Sequence, residues 1–142
     1  MSPDTNEIAI RPSQVHDAPE IAAFIEPFVE LRILLRRTLD ELRDLTRNGF
    51  VAEAKGRIVG FAAVEVYSRK LAELQCLAVA ADCQGRGVGK RLVQACVETA
   101  RRHEVQELMA ITAADEFFKD CGFDYSLPDQ KKAVFINTRP RT

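Results

Sequence analysis

Apolar residues recur along this chain in two rhythms, and the switches between them mark its elements. Ile8 to Arg11 alternates as a short strand, and Ile21, Phe24, Ile25 and Phe28 then follow the three-and-four spacing of a helix that buries one stripe. Asp17-Ala18-Pro19-Glu20 ahead of that stripe has the form of a capping box with proline at the first helical position, and Pro27 is expected to break the helix near its end. Thr38-Leu39-Asp40-Glu41 is a second capping box, opening a helix with Leu39, Leu42 and Leu45 that stops at Asn48-Gly49. Phe50 to Ala54 and Arg57 to Val66 read as strands joined by Lys55-Gly56, a hairpin signal. Leu71 to Val79 is the next strand, and Val88 to Arg102 is a helix with Leu92, Val93, Cys96 and Val97 on its apolar face. A strand at Val105 to Thr112, a short helix at Asp115 to Cys121 ended by Gly122, and a last strand at Ala133 to Asn137 complete the series.

The order β-α-α-β-β-β-α-β-α-β, with strands and helices alternating in the second half, predicts an α/β fold in the wider α+β sense, a mixed sheet with helices on both faces. At 142 residues, with no repeat, low-complexity tract or linker, residues 1–142 read as a single domain. Lys and Arg number 20 against 21 Asp and Glu, a formal net charge of -1 that offers no global attraction to nucleic acid or an acidic membrane surface, so anion binding must be local. No apolar run approaches the roughly 20 residues of a membrane span, and Met1 to Glu7 lacks the apolar core of a signal peptide, so a cytoplasmic location is expected. The four cysteines stand singly and the two histidines lie far apart, so neither a disulfide framework nor metal-ligand spacing is visible, and no metal is expected.

Candidate chemistry begins after the Leu71 to Val79 strand. Gln84-Gly85-Arg86-Gly87-Val88-Gly89-Lys90 is a glycine-rich turn running into a helix start, where backbone N–H groups lack intrahelical partners and the helix dipole favours an anion. Gly85, Gly87 and Gly89 let phosphates approach the main chain, and Arg86 and Lys90 can supply countercharge, while Arg91, Arg101 and Arg102 read as solvated helix charges. Gln-x-x-Gly-x-Gly matches neither the P-loop nor the dinucleotide fingerprint. It resembles the coenzyme A loop of the GNAT superfamily of N-acetyltransferases. A second segment, Phe117-Phe118-Lys119-Asp120-Cys121-Gly122-Phe123, is similar to that family's aromatic-x-x-x-Gly-Phe element, and the likeness runs from Ile10-Arg11 to the C-terminus.

The resemblance implies a GNAT fold whose splayed strand pair holds acetyl-CoA as cosubstrate. The pantetheine arm then bonds to main-chain groups near Leu77, Ala78 and Val79, and the pyrophosphate sits on Gln84 to Lys90. Glu73, two positions into the strand that should line the cleft, is the first candidate general base, taking the amine proton directly or through water, and Glu65 is the second. An exposed strand face would explain either carboxylate equally simply. Where many GNAT enzymes place a proton-donating tyrosine this chain has Phe118, so either Tyr125, Thr112, Cys76 or solvent protonates the departing thiolate or it leaves without a proton.

Leu34-Leu35-Arg36-Arg37-Thr38, Glu73-Leu74-Gln75-Cys76-Leu77-Ala78-Val79, the aromatic pair before Cys121-Gly122-Phe123, and Leu127-Pro128-x-x-Lys131 narrow the resemblance to the GNAT domain of N-acetylglutamate synthases. That likeness implies L-glutamate or a related amino acid as the amine, Arg36 on its carboxylate with Arg37 and Arg139 nearby, Glu73 as base acting through water, and Cys76 with Leu77 near the acetyl group. It places the chain in amino-acid and arginine biosynthesis. Thr112-Ala113-Ala114-Asp115 departs from the Thr-x-Arg expected before the aromatic pair, and the chain has no room for the kinase-like domain of the usual synthase. Another small amine, a polyamine or a protein N-terminus stays open as acceptor, as do a catalytically silent acetyl-CoA-binding regulator and a partner-binding subunit, since fold alone does not decide function. A homodimer is allowed.

Overall fold

A strand buried on both faces organises the sheet. In the computed structural model, which describes residues 7–140, β3 (Arg57–Val66) is buried without interruption from Ile58 to Val64. It lies between β2 (Gly49–Ala54) and β4 (Leu71–Val79), and β1 (Ile8–Pro12) and β5 (Glu107–Met109) form the edges of a five-stranded sheet in the order β1-β2-β3-β4-β5. Neighbours are antiparallel except β4 and β5, which run parallel. Lys55 and Gly56 both take positive φ, 52° and 73°, the handedness that a two-residue turn needs to follow strand twist. The chain forms two compact units, Met1–Ala110 and Ile111–Thr142.

Alternation along β3 divides the core of the first unit. Phe61 and Ala63 join Val51, Ile58 and Cys76 in a cluster with Ala18, Ile21 and Ile25 of α1 (Ala18–Glu30) and Leu42 and Leu45 of α2 (Leu39–Leu45). The opposite face packs on α3 (Val88–Arg102), whose Val88, Leu92, Val93 and Cys96 are all at most 1% exposed. Burial pushes the Cys96 thiol up to about 12, as expected of a small apolar core residue.

Several local expectations are corrected by tertiary partners. Thr38 and Glu41 form the predicted box, Glu41 N–H donating to Thr38 Oγ1 at 3.1 Å and Thr38 N–H to Glu41 Oε1 at 2.8 Å. Asp17 and Glu20 do not. Asp17 is drawn to the Arg11 guanidinium at 2.9 and 3.0 Å and accepts from Gln14 N–H, while Glu20 accepts from Ile58 N–H across to β3. Proline lies within the first two helical positions, and Pro27 stays inside α1, because the helix has too little length left beyond it to be broken. Arg91 is not a solvated charge; it donates to the Ile8 carbonyl at 3.0 Å and ties α3 to β1.

The Arg11 hydrogen bonds hold the Asp17 carboxyl below its usual range against the opposing cost of burial. A carboxylate lowered in the folded state adds stability above its unfolded value, about pH 4, and loses it as pH falls through the folded value. Asp17→Asn should therefore flatten the acid limb of stability against pH, which thermal melts between neutral and acidic buffer will read.

Both C-terminal strand expectations are also revised. β5 covers only Glu107–Met109: at one end Val105 N–H is used by the Ala100 carbonyl at the close of α3, and at the other the ladder to β4 stops at Glu73–Met109. In the second unit α4 (Asp115–Asp120) forms, but the apolar run Val134, Phe135 and Ile136 is 92%, 80% and 85% exposed and not a strand. A short apolar run gives a segment β potential only; among the described residues it pairs with no strand edge, and its backbone is left to solvent.

Candidate active site

The glycine-rich loop builds an anion cradle from backbone alone. Gly87 caps α3 in the left-handed conformation, φ 79° and ψ 7°, and Gly85 has φ 78°; nothing lies within 4 Å of the position a Cβ would take at either. Conformation, not crowding, requires glycine here. The first bond of the α3 ladder is Arg91 N–H to the Gly87 carbonyl at 3.0 Å, so the N–H groups of Val88, Gly89 and Lys90 precede it and are turned to the loop. Gln84 Nε2 donates to the Val79 carbonyl at 2.9 Å, fastening the loop to the end of β4, and Lys90 is exposed on the first turn. Because β4 and β5 pair only over Leu71–Glu73 and Glu107–Met109, the Leu74–Val79 stretch keeps one unpaired edge leading to this cradle. Open left-handed glycines, orphan N–H groups and an unpaired strand edge fit a pyrophosphate followed by an extended amide-bearing arm.

Gly87→Asp is expected to weaken acetyl-CoA binding by about tenfold or more, since a left-handed L-residue costs roughly 1–2 kcal/mol and the added carboxylate repels the phosphates. Gly87→Ala should show the conformational part alone. Calorimetry on the folded variants reads both, and unchanged affinity in Gly87→Asp would overturn the cradle.

Along the same strand, a bulge turns side chains toward the α1–α2 face. The β3–β4 register shifts between Phe61, which faces Ala78, and Ala63, which faces Gln75, and Cys76 within the shift has φ 60°. A bulge inserts a residue and re-aims its neighbours. Gln75 therefore shares the Ala63 face while Cys76 also enters the α1–α2 core cluster. Arg37 Nε donates to Cys76 Sγ at 3.2 Å; its two terminal nitrogens make no hydrogen bond among the described residues. Burial raises the Cys76 thiol, Arg37 opposing it only in part, so the group stays a protonated thiol rather than a nucleophile. Arg36 is placed differently: its guanidinium is clamped by Glu26 at 2.8 and 3.0 Å on an exposed surface. Of the adjacent arginines, Arg37 is the one brought to the bulge.

Glu73 belongs to a cluster that is only half legible along the chain. Glu65 and Glu73 stand directly opposite each other on β3 and β4, where like charges destabilise a ladder unless something lies between them. Tyr67 and Gln75 do so. Tyr67 O–H donates to Glu73 Oε1 at 2.6 Å, and Gln75 Nε2 donates to Glu65 Oε2 at 2.5 Å and to Tyr67 Oη at 3.0 Å, with Glu73 Oε1 at 3.3 Å. Burial, the bond to Glu73 and the charges of both glutamates raise the Tyr67 phenol well above its ordinary range, the Gln75 bond opposing them, so the hydroxyl keeps its proton for Glu73. Gln75 is 8% exposed and its Oε1 is buried without a partner. Tyr67 and Gln75 were missed by sequence reasoning, although period-two alternation from Ala63 and across the hairpin would have put them beside the two glutamates.

In the second unit Phe118 is buried, with edge-on contacts to Phe117 and Phe123 at 5.2 Å. Tyr125 O–H donates to Asp115, which raises the phenol, and Lys119 and Lys131 lie over its ring at 4.6 and 5.4 Å. Thr112 Oγ1 accepts from Ala114 N–H, and Arg139, exposed, donates its own N–H to Asn137.

An acetyl-transfer fold is thus defined by the cradle, the divided strands and the bulge, and comparison with known proteins agrees. The acetyltransferase (GNAT) family matches residues 15–123, and the chain belongs to that family. It is 30% identical over 117 residues to an uncharacterized N-acetyltransferase of Chlorobaculum tepidum, covering 82% of this chain and 76% of the relative. An amino-acid acetyltransferase of Neisseria meningitidis is 32% identical over 125 residues, 87% of this chain. The N-acetylglutamate synthase of Neisseria gonorrhoeae, solved with coenzyme A and N-acetyl-glutamate, superposes on 80% of this chain with a TM-score of 0.73 and 31% identity. The chain spans 29% and 27% of those two larger proteins. It is an acetyltransferase that binds acetyl-CoA. Among the described residues no helix is long and apolar enough to cross a membrane.

Proposed function

We propose that this acetyltransferase acts on the α-amine of an amino acid, L-glutamate or a close acidic relative, with Glu73 as general base and Arg37 as the carboxylate ligand. The observation that carries the reading is the pairing, on one side of the sheet, of an arginine with an unused fork and a carboxylate with an unused oxygen. Arg37 reaches Cys76, next in the chain to Gln75, which bonds Glu73; Glu73 Oε2 has no hydrogen-bond partner among the described residues. An α-amino acid needs both groups: a bidentate cation for its carboxylate and a proton acceptor for its amine.

Acetyl-CoA supplies the activated acetyl thioester. The chain's work is then placement and proton handling. The α3 N-terminus and the β4 edge orient the coenzyme, Arg37 orients the amine, and Glu73 removes the proton that the amine loses, so much of the rate comes from holding reactants together. Arg36, held by Glu26, is assigned to the rim of the site rather than to the α-carboxylate.

The opposed Glu65–Glu73 pair favours a second reading, a cationic acceptor such as lysine or a polyamine, because two carboxylates attract an ammonium. Steady-state kinetics with glutamate, aspartate, glutamine, lysine and spermidine, scored by thiol release and product mass, separates them: the highest kcat/KM should fall to glutamate or aspartate, and preference for lysine or spermidine would replace the first reading by the second. Absence of any acceptor-dependent thiol release would reject both.

A further inference from the structure

We propose that Tyr67 and Gln75 are positioning residues that clamp one oxygen of Glu73 and leave the other to receive the amine proton. The inference rests on the reading of Glu73 as base. Glu73 Oε1 accepts from the Tyr67 hydroxyl at 2.6 Å and, more weakly, shares a Gln75 amide hydrogen at 3.3 Å with a nearer acceptor, whereas Oε2 has no hydrogen-bond partner among the described residues. A carboxylate held at one oxygen keeps a defined direction for the lone pairs of the other, and that direction decides whether proton transfer is in reach. Both donors are neutral, and Glu73 makes no ion pair among the described residues. The clamp therefore fixes geometry without a countercharge.

Stability alone does not account for these side chains. Gln75 sits opposite Ala63, a fully buried alanine, yet it turns its amide nitrogen to the carboxylates and leaves Oε1 buried and unpaired. An unsatisfied buried acceptor is a net loss that an apolar residue would avoid. The opposed glutamates are a second loss on the same face. What these losses secure is a chain of donors, Gln75 anchored on Glu65 and Tyr67 supported by Gln75, that ends on Glu73. Tyr67 lies just past β3, where its N–H bonds the Leu71 carbonyl at 3.0 Å, so the turn itself holds the ring beside the strand that carries Glu73.

Tyr67→Phe removes one hydroxyl from a side chain already 51% exposed, which leaves the fold intact. With the best acceptor of the panel, kcat should fall roughly 10-fold, the scale of one well-placed hydrogen bond, while KM for acetyl-CoA holds. Gln75→Met should act in the same direction. In a Glu73→Gln background, Tyr67→Phe should cost nothing more, since a residue acting through Glu73 has nothing left to position. A wild-type rate in Tyr67→Phe, with Glu73→Gln still slow, would overturn the clamp and leave the base standing. A full 10-fold loss persisting in the double variant would also overturn it. A wild-type rate in Glu73→Gln would remove the base assignment and the clamp together.

Discussion

Glu73→Gln should slow acetyl transfer at saturating substrates by about 10²-fold or more, the usual scale for loss of a positioned general base. The amide copies the carboxylate in shape and still offers an oxygen to the Tyr67 hydroxyl, which donates to Glu73 Oε1 at 2.6 Å, so the local network has little reason to rearrange. What is lost is the acceptor for the amine proton. Acetyl-CoA affinity should stay near wild type, because the cradle at Gly85 to Lys90 takes no part of its geometry from Glu73. The two measurements together separate a chemical defect from a binding one. A rate-against-pH profile identical to wild type would exclude the role.

Removing Arg37 should have its largest effect on the acceptor. Arg37→Ala is expected to raise the acceptor KM by roughly 10- to 150-fold, corresponding to about 1.5 to 3 kcal/mol for a hydrogen bond to a charged group. Arg36→Ala should change it far less, because the Arg36 guanidinium is already committed to Glu26. Arg37→Lys should recover only part of the loss, a point charge lacking the flat fork that grips a carboxylate. Equal effects at the two positions, or a larger one at Arg36, would reverse the assignment; an unchanged KM at both would remove the carboxylate ligand altogether.

The glycine-rich turn ahead of α3 was legible because its signal is local. Glycines at fixed offsets before an amphipathic run dictate left-handed turns and a helix start, and Val88–Arg102 and Leu71–Val79 fall where periodicity placed them. The Thr38–Glu41 box is local in the same sense, with both partners three residues apart. Asp17 and Glu20 have the same spacing but met stronger partners, Arg11 and Ile58 N–H, that lie elsewhere in the chain.

The acceptor side depends on contacts that no spacing encodes. Whether Arg36 or Arg37 turns inward depends on Glu26, ten residues from Arg36, and on the bulge that aims Cys76 at Arg37. The union of Glu65, Tyr67, Glu73 and Gln75 depends on β3 and β4 pairing in one register, where a shift of a single residue would send each side chain to the opposite face. The Ala133–Asn137 segment shows the same limit from the other side: its apolar, β-branched run has strand propensity, but strand formation needs an edge to bond. Most elements, their order and the left-handed glycine turn ahead of α3 were thus determined by the sequence by itself, because backbone sterics and hydrophobic period act within a few residues. Which arginine is held by Glu26 and which reaches Cys76, and which donors surround Glu73, was decided only by the tertiary structure, because charges and hydrogen-bond donors are satisfied by whatever the fold brings near.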